Sequence, residues 1–179
     1  MRAFIFFLLL LPAAAFARDW NVDMAKSGLG FDGTYQGGAF AGKFGQWNAA
    51  IAYDETDLAH AKFDVTVQLS SVDTGSGERD QTLATADFFD TTKFPQAHFV
   101  ATDFVRGADG GVVAHGTLTI RDIAKPVTLK VKFAVSGGAT TLDVSTMLNR
   151  KDFGLGIGSD WDDIGTQVNV HAHLVLTPK

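Results

Sequence analysis

The chain has 179 residues, a formal net charge of −5 and no cysteine. The acidic balance argues against a nucleic-acid partner. The lack of thiols excludes disulfides and thiol chemistry, so the hydrophobic core alone must hold the fold. Phenylalanine is unusually frequent, with 15 copies against 2 tyrosines and 3 tryptophans. Because phenylalanine carries no polar group, this preference indicates either a wholly dry core or a dry cavity.

The first seventeen residues have the pattern of a secretory signal peptide. Arg2 precedes an apolar run from Phe4 to Leu11, and a small-residue cleavage pattern ends at Ala17. The run is too short to cross a membrane, which takes ~20 apolar residues. We therefore predict that residues 1–17 are removed on export through the inner membrane. We expect residues 18–179 to form one periplasmic domain, soluble because no second long apolar segment follows.

Residues 18–179 alternate between apolar and polar positions in short runs, which turn signals separate roughly every 8–12 residues. The alternation predicts strands at residues 20–23, 27–35, 62–69, 98–105, 140–150 and 168–176, and a pair of strands within 39–53. Only residues 78–86 favour a helix, with Leu83 as its apolar contact. The pattern predicts an all-β fold, a single antiparallel β-barrel with one short helix.

The clearest element is the hairpin of residues 112–133, VVAHGTLTIRDIAKPVTLKVKF. Every second residue from Val112 to Ile120 is apolar or small, and every second residue from Val127 to Phe133 is apolar. This alternation is typical of an antiparallel pair with one apolar face. We predict that residues 121–126 form the turn between the two strands.

The sequence offers few polar residues that are candidates for catalysis or metal binding. His171 and His173 lie two apart on a strand and so point to one side, a spacing that can seat a metal. The alternative is a polar outer face, and no third ligand can be named. No G-x-S-x-G motif and no phosphate-binding glycine loop is present. We therefore predict no metal site, and a binding protein rather than an enzyme.

Aromatic residues in predicted loops are the sharpest feature of the sequence. Five lie there or beside the helix, where apolar side chains must find cover: Phe88, Phe89, Phe94, Phe153 and Trp161. They either plug the open end of the barrel and complete its core, or gate an apolar tunnel. A barrel of about eight strands holds packed side chains or one small ligand, so both interpretations stand. Arg79, Asp80 and Arg150 likewise either order the loops or contact a polar head group.

A series of short motifs runs through residues 18–179. In order they are Trp20-x-x-Asp23, Ser27 with Phe31, Gly42 with Phe44, residues 70–75, Arg79-Asp80, residues 87–90, Phe94-Pro95, the LTIR and KPVTL halves of the hairpin, and Asn149-Arg150-x-Asp152-Phe153-Gly154. None is specific alone. Together and in this order they resemble the YceI-like family, periplasmic lipocalin-like barrels that bind polyisoprenoid lipids.

The resemblance has two departures. Where many relatives have histidine, this chain has Tyr35-Gln36-Gly37-Gly38, which is similar to the subgroup associated with b-type membrane cytochromes and implies an isoprenoid quinone as cargo. Where relatives usually have glycine in the hairpin turn, this chain has Asp122, which adopts left-handed geometry less readily. The family implies a lipocalin-like barrel around an isoprenoid lipid, with no other cofactor, and leaves a homodimer open.

Alternation and the resemblance together predict the ligand site. We expect ten inward residues to form the cavity walls: Phe31, Phe40, Phe44, Phe63, Val65, Phe99, Leu118, Ile120, Phe133 and Val170. The expected gate consists of Phe88, Phe89, Phe94, Phe153 and Trp161. We expect the polar head group to lie near Arg79, Asp80 and Arg150.

Three hypotheses for function follow from these expectations. The leading one is a periplasmic carrier or store of an isoprenoid quinone or a related polyprenyl lipid. The second is a redox accessory, in which the bound quinone exchanges electrons with a membrane b-type cytochrome during oxidative stress. The third is a ligand-free stress or structural protein, which requires a barrel filled by its own side chains.

Overall fold

The computed structural model describes residues 17–179, so the predicted signal peptide, apart from Ala17, lies outside the described residues. These residues form eleven strand segments and one α-helix. The segments are β1 Asp19–Val22, β2 Gly28–Tyr35, β3 Gly38–Phe44, β4 Trp47–Ala52, β5 Lys62–Gln68, β6 Val72–Asp73, α1 Gly77–Ala84, β7 Gln96–Arg106, β8 Val112–Ile120, β9 Ile123–Ser136, β10 Ala139–Asn149 and β11 Gln167–Pro178.

All strand pairings are antiparallel and the sheet closes on itself. Its order is β1-β4-β5-β7-β8-β9-β10-β11, and β11 returns to pair with β1 through Val22 and Leu176. Closure leaves a barrel of eight strands, because β1 with β2, β3 with β4 and β5 with β6 each continue one another along the wall. The predicted all-β barrel with one short helix is therefore confirmed.

The two strands predicted within residues 39–53 are confirmed as β3 and β4, but they do not pair with each other. β3 pairs with β2, whereas β4 pairs with β1 and β5, and β3 and β4 share no ladder. They are two halves of one bent strand, interrupted at Gly45-Gln46. A similar bend at residues 23–27 separates β1 from β2. Together the two bends curve the sheet enough to close it.

The hairpin of residues 112–133 has a shorter turn than predicted. Ile120 pairs directly with Ile123, so only Arg121 and Asp122 turn the chain, and residues 123–126 belong to β9. The left-handed residue is Arg121, with φ 59°, and not Asp122. A positive φ at the first central position alone is typical of a type II′ turn, whose twist suits a two-residue hairpin.

The short helix α1 covers one end of the barrel. Its N-cap is Ser76, whose hydroxyl accepts a hydrogen bond from the backbone N–H of Arg79 at 3.4 Å. Glu78 and Asp80 lie in the first turn, where carboxylates favour the positive end of the helix dipole. Leu83 packs against the core, as predicted.

A layer of five aromatic rings closes the opposite end of the barrel, and we call it the aromatic layer: Trp20, Tyr53, Phe63, Phe104 and Phe133. The ring centroids of Phe63 and Phe104 are 4.7 Å apart and nearly perpendicular. Those of Tyr53 and Phe133 are 5.2 Å apart. Trp20 donates its indole N–H to the carbonyl of Tyr53 at 2.8 Å.

The hydroxyl of Tyr53 is fully buried in this layer and has no hydrogen-bond partner among residues 17–179. Burial raises the pKa of Tyr53 to about 12 from 10.0, with a smaller contribution from Glu55. An unpaired buried hydroxyl costs about 1–3 kcal/mol. We therefore expect Tyr53→Phe to stabilise the fold by about 1 kcal/mol at neutral pH, raising Tm in thermal unfolding by roughly 2–4 °C.

The pH dependence of Tyr53→Phe provides a second test. The pKa of Tyr53 is higher in the folded protein than in the unfolded chain, so the unfolded chain loses this proton first. The free energy of unfolding of the wild type is therefore unaffected by this ionisation below pH 10 and falls as the pH rises from 10 through about 12. The advantage of Tyr53→Phe must therefore grow above pH 10. The matched control is Tyr35→Phe, because Tyr35 is exposed and its loss should shift stability by less than about 0.5 kcal/mol. Equal effects of both substitutions would contradict the prediction.

Candidate functional site

The barrel encloses an apolar cavity of about 490 Å³ between the aromatic layer and α1. Its walls are inward-facing side chains from almost every barrel strand. Apart from residues discussed below, the apolar lining includes Leu29, Ile51, Val67, Leu69, Leu83, Ala97, Val127, Leu129, Leu142, Val144, Leu148, Leu155, Ile164, Val168, Ala172 and Leu174. A space of this size lies within the roughly 300–1,000 Å³ of small-molecule sites. The barrel is therefore not filled by its own side chains.

Thirteen of the fifteen residues predicted to contact a ligand line this cavity: Phe31, Phe40, Phe44, Phe63, Val65, Phe88, Phe89, Phe99, Leu118, Ile120, Phe153, Trp161 and Val170. The inward orientation of the nine that lie on strands follows from the two-residue period of the strands. Phe88, Phe89, Phe153 and Trp161 lie outside the strands, in the loops and short helical turns. Contact of these side chains with a lipid stays a prediction.

Phe133 and Phe94 do not line the cavity, and their predicted placement is wrong. Phe133 belongs to the aromatic layer, with its ring centroid 5.6 Å from that of Trp20, because it lies toward the end of β9 beyond the cavity. Phe94 lies in the loop before β7, where Lys93 Nζ is 4.9 Å and Arg121 Cζ is 5.7 Å from the centre of its ring. Phe94 thus covers the outside of the α1 end.

Arg79 and Asp80 have separate roles at the mouth, which we define as the cavity rim beside α1. Arg79 lines the rim with its guanidinium carbon 4.4 Å from the ring centre of Phe40, and it donates to the carbonyl of Thr74 at 3.3 Å. Asp80 does not line the cavity. Its carboxylate accepts from the N–H of Thr74 at 2.9 Å and from the Thr74 hydroxyl at 2.6 Å. Asp80 therefore orders the loop before α1.

Arg150 is buried, only 5% exposed, and holds together the segment of residues 155–165. Its guanidinium donates only to backbone carbonyls. They belong to Gly165 at 3.1 Å, Leu155 at 2.7 Å, Trp161 at 2.9 Å, Ile164 at 2.8 Å, and Gly156. An arginine has five N–H donors, and this segment occupies all of them.

This geometry corrects the predicted head-group role of Arg150. Burial lowers the pKa of its guanidinium below the ordinary value, and the nearby Asp162 carboxylate acts in the opposite direction. With every donor already bonded to the chain, Arg150 has none left for a ligand. Its function is structural: it shapes the segment that supplies Leu155, Trp161 and Ile164 to the cavity wall.

Phe88 and Phe89, two further predicted gate residues, contact a ring of this segment and a ring of β3, respectively. The ring of Phe88 lies edge-on to that of Trp161, with centroids 5.0 Å apart. Phe89 contacts Phe44 at 6.2 Å between centroids. Phe88 and Phe89 are buried, whereas Trp161 is partly exposed at the surface of the α1 end. These rings form a cover over an open space rather than a solid plug.

Glycines opposite phenylalanines keep the cavity open. Gly42 pairs with Phe31 across β2 and β3, and Gly33 pairs with Phe40. A methyl group at Gly33 would lie 2.9 Å from Phe40 Cζ, and one at Gly42 would clash with the ring of Phe31. Each ring therefore lies flat against the wall over a glycine, where a larger residue would push it into the cavity.

Several residues that line the cavity were not predicted from the sequence. Leu142, Val144 and Leu148 alternate along β10 and all face the cavity, so period two would have identified them. Trp47 also lines the wall. The polar side of the mouth consists of Ser76, Glu78 and Thr82. Their position at the cavity depends on where α1 packs against the barrel, which no local sequence pattern indicates.

The two strand histidines are exposed and each approaches a carboxylate. His173 Nδ1 is 2.6 Å from Asp143, and His171 Nδ1 is 3.5 Å from Asp32. No group of three or more potential metal ligands occurs within residues 17–179. In the same range, no helix has the length and hydropathy to cross a membrane.

The closed barrel and its apolar cavity define a β-barrel with an interior suited to a hydrophobic ligand. A family model for the YceI-like domain matches residues 20–176, so the chain belongs to the YceI-like family. Among curated relatives, a UPF0312 protein of Shewanella denitrificans is 32% identical over 178 residues, covering 94% of this chain and 91% of the relative. A UPF0312 protein of Shewanella baltica is 35% identical over 124 residues, covering 68% and 65%.

Solved structures share the fold. BcnA of Burkholderia cenocepacia superposes with a TM-score of 0.82 at 28% identity, covering 88% of this chain and all of BcnA. A polyisoprenoid binding domain from Saccharophagus degradans, implicated in plant cell wall breakdown, gives a TM-score of 0.68 at 16% identity. It covers 92% of this chain and 100% of that domain, and at this identity the likeness concerns the fold alone.

Proposed function

We propose that this protein encloses the prenyl chain of an isoprenoid lipid in the cavity and acts as its periplasmic carrier or store. The observation that carries the proposal is the cavity of about 490 Å³ with apolar walls from β2 to β11. Such walls suit a ligand that has almost no polar atoms along its length. The YceI-like family and the polyisoprenoid-binding neighbour with this fold support the same ligand class.

The energetics of burial make such binding feasible without any catalytic or charged group. A buried CH₂ contributes about 0.8 kcal/mol, so each five-carbon prenyl unit contributes about 4 kcal/mol before costs. Association and ordering cost about 4–15 kcal/mol in total. Several buried prenyl units therefore suffice for tight binding, and the rest of the lipid can stay outside the cavity.

The mouth beside α1 suits the polar head of the lipid. Arg79 lies at this rim with only one of its donors hydrogen-bonded within residues 17–179, to Thr74. Ser76 and Thr82 add hydroxyl groups. A quinone or phosphate head group could accept hydrogen bonds from these donors while its chain lies in the barrel. We propose Arg79, in place of Arg150, as the principal head-group contact.

Mass spectrometry of an organic extract tests the proposed function. The protein is purified from a bacterial periplasm, and we expect a prenylquinone or polyprenyl lipid at close to one molecule per chain. A periplasmic protein without such a cavity, purified in parallel, provides the control for carry-over of lipid. An extract that stays free of lipid after the protein is offered prenylquinone in detergent would overturn the proposal.

The extract also distinguishes the redox hypothesis from passive carriage. A bound quinone that changes its absorbance on reduction while it stays in the protein would favour an accessory role toward a membrane b-type cytochrome. A polyprenyl lipid without a redox-active head would leave carriage or storage as the function.

A further inference from the structure

The barrel wall is incomplete between β9 and β10. These strands pair from Ser136 and Ala139 as far as Lys130 and Ser145, and the ladder then ends. Beyond that point, residues 123–129 of β9 pair only with β8, and residues 146–149 of β10 pair only with β11. We call this unpaired stretch of the wall the seam.

Pro126 gives a physical reason for the seam. In a two-residue hairpin the closing pair, here Ile120 and Ile123, is hydrogen-bonded, so every second residue of β9 from Ile123 bonds to β8. The backbone hydrogen-bonding positions of the residues between them, including Pro126, point toward β10. Because proline has no N–H to donate, it prevents a regular ladder on that side and suits the edge of a sheet.

A groove of about 520 Å³ lies at the outer surface of the seam. Its lining includes Val113, Lys125, Pro126, Thr128, Lys130, Met147, Asn149, Asp152 and Asn169. Five residues line both this groove and the internal cavity: Val127, Ser145, Thr146, Leu148 and Phe153. The cavity and the groove are therefore separated by a single layer of side chains.

Phe153 occupies the middle of this layer. It follows β10 in the short helical turn Arg150–Phe153, is 2% exposed, and faces the cavity on one side and the groove on the other. No backbone ladder crosses the wall at this place. Movement of the Phe153 and Leu148 side chains at this place would connect the two spaces without breaking any ladder hydrogen bond between β9 and β10.

The groove has a strip of apolar surface bordered by polar side chains, which include Thr128, Asn149, Asp152 and Asn169. Met147 is apolar but 60% exposed. Methionine is flexible and adapts to ligands of varied shape. Pro126, Val113 and the aliphatic stems of Lys125 and Lys130 add apolar surface around it. The charged ends of the two lysines keep the groove in contact with water.

We propose that the groove binds the distal end of a prenyl chain that is too long for the cavity. The aromatic layer closes the end of the barrel opposite α1, so a long chain with its head at the mouth has no axial exit. At the seam no ladder joins β9 to β10, and apolar surface continues outside the cavity in the groove. The inference rests on the proposed function, because it concerns the same lipid.

The test is a competition between a short and a long prenyl alcohol, geranylgeraniol and solanesol, offered together in detergent micelles. The ratio of long to short alcohol bound to the protein is measured by mass spectrometry. Met147→Glu places a charge in the groove and leaves the cavity untouched, so the ratio should fall about tenfold or more. Thr128→Glu, on the opposite side of the groove, should act in the same direction.

Val135→Glu is the matched control, since Val135 is 69% exposed on β9 but lies outside the groove, and the ratio should not change. Because both alcohols compete in one sample, a partly unfolded variant does not alter the ratio. An unchanged ratio in both groove variants would overturn this inference while the proposed function stands. A wild-type protein that takes up neither alcohol would overturn the proposed function itself, and the inference with it.

Discussion

Replacing Arg150 with methionine is expected to destabilise the protein by about 3 kcal/mol or more, one of the largest effects available in this chain. The methionine fills much of the same space but donates no hydrogen bond. Five backbone carbonyls of residues 155–165 then lose their common donor. For a domain of this size the loss corresponds to a fall in Tm of roughly 6–12 °C in thermal unfolding.

The same substitution should damage the cavity before the barrel unfolds. The segment that Arg150 holds supplies Leu155, Trp161 and Ile164 to the wall. We expect its backbone amides to exchange with deuterium faster in Arg150→Met than in the wild type, while the strands keep their protection. Arg150→Lys keeps the charge but has fewer donors in a different geometry, so it should recover only part of the stability.

Arg106 provides the matched control for this prediction. It also donates to backbone carbonyls, those of Gly110 at 2.9 Å and Glu55 at 3.1 Å, but it is exposed. Water can replace its hydrogen bonds, so Arg106→Met should cost less than about 1 kcal/mol. If both arginine substitutions cost the same, the burial of Arg150 would not be the cause of its importance, and the structural role assigned here would be wrong.

The alternation of apolar residues predicted most of the barrel. On β5, Phe63, Val65 and Val67 all face inward, as expected from a two-residue period. The extra residue in β7, between Ala101 and Asp103, shifts the alternation, so that Phe99 and Phe104 are both buried although they are five residues apart. Local patterns of this kind are visible because each strand has one apolar and one polar face.

Features that depend on distant parts of the chain were not predictable in this way. Arg150 has the same local sequence whether it faces a ligand or the carbonyls of its own segment, and only the fold of residues 155–165 decides. Phe133 continues the alternation of β9, but how far along the barrel axis it lies depends on the length of every neighbouring strand. The partners of β3 and β4 are likewise fixed by closure of the sheet rather than by either segment.

A cavity that holds a prenyl chain should be blocked by one additional side chain inside it. Ala49 lines the cavity from β4, opposite Val65, and Ala49→Phe places a ring in the space that the lipid needs. Displacing one five-carbon unit forfeits about 4 kcal/mol of gross transfer free energy. We therefore expect the affinity for a prenylquinone to fall at least about 100-fold, and further when Ala172→Phe is added from β11.

The matched control is Ala50→Phe, because Ala50 is the same residue one position further along β4 and is exposed on the outer face. Binding can be followed by quenching of tryptophan fluorescence, since Trp47 and Trp161 line the cavity and Trp20 belongs to the aromatic layer. A ring that enters an open space buries apolar surface without crowding a packed core, so Tm should not fall in Ala49→Phe. Loss of binding at unchanged Tm, in the inward variant alone, would show that the lipid occupies the barrel. Equal affinity in both variants would show that it binds elsewhere.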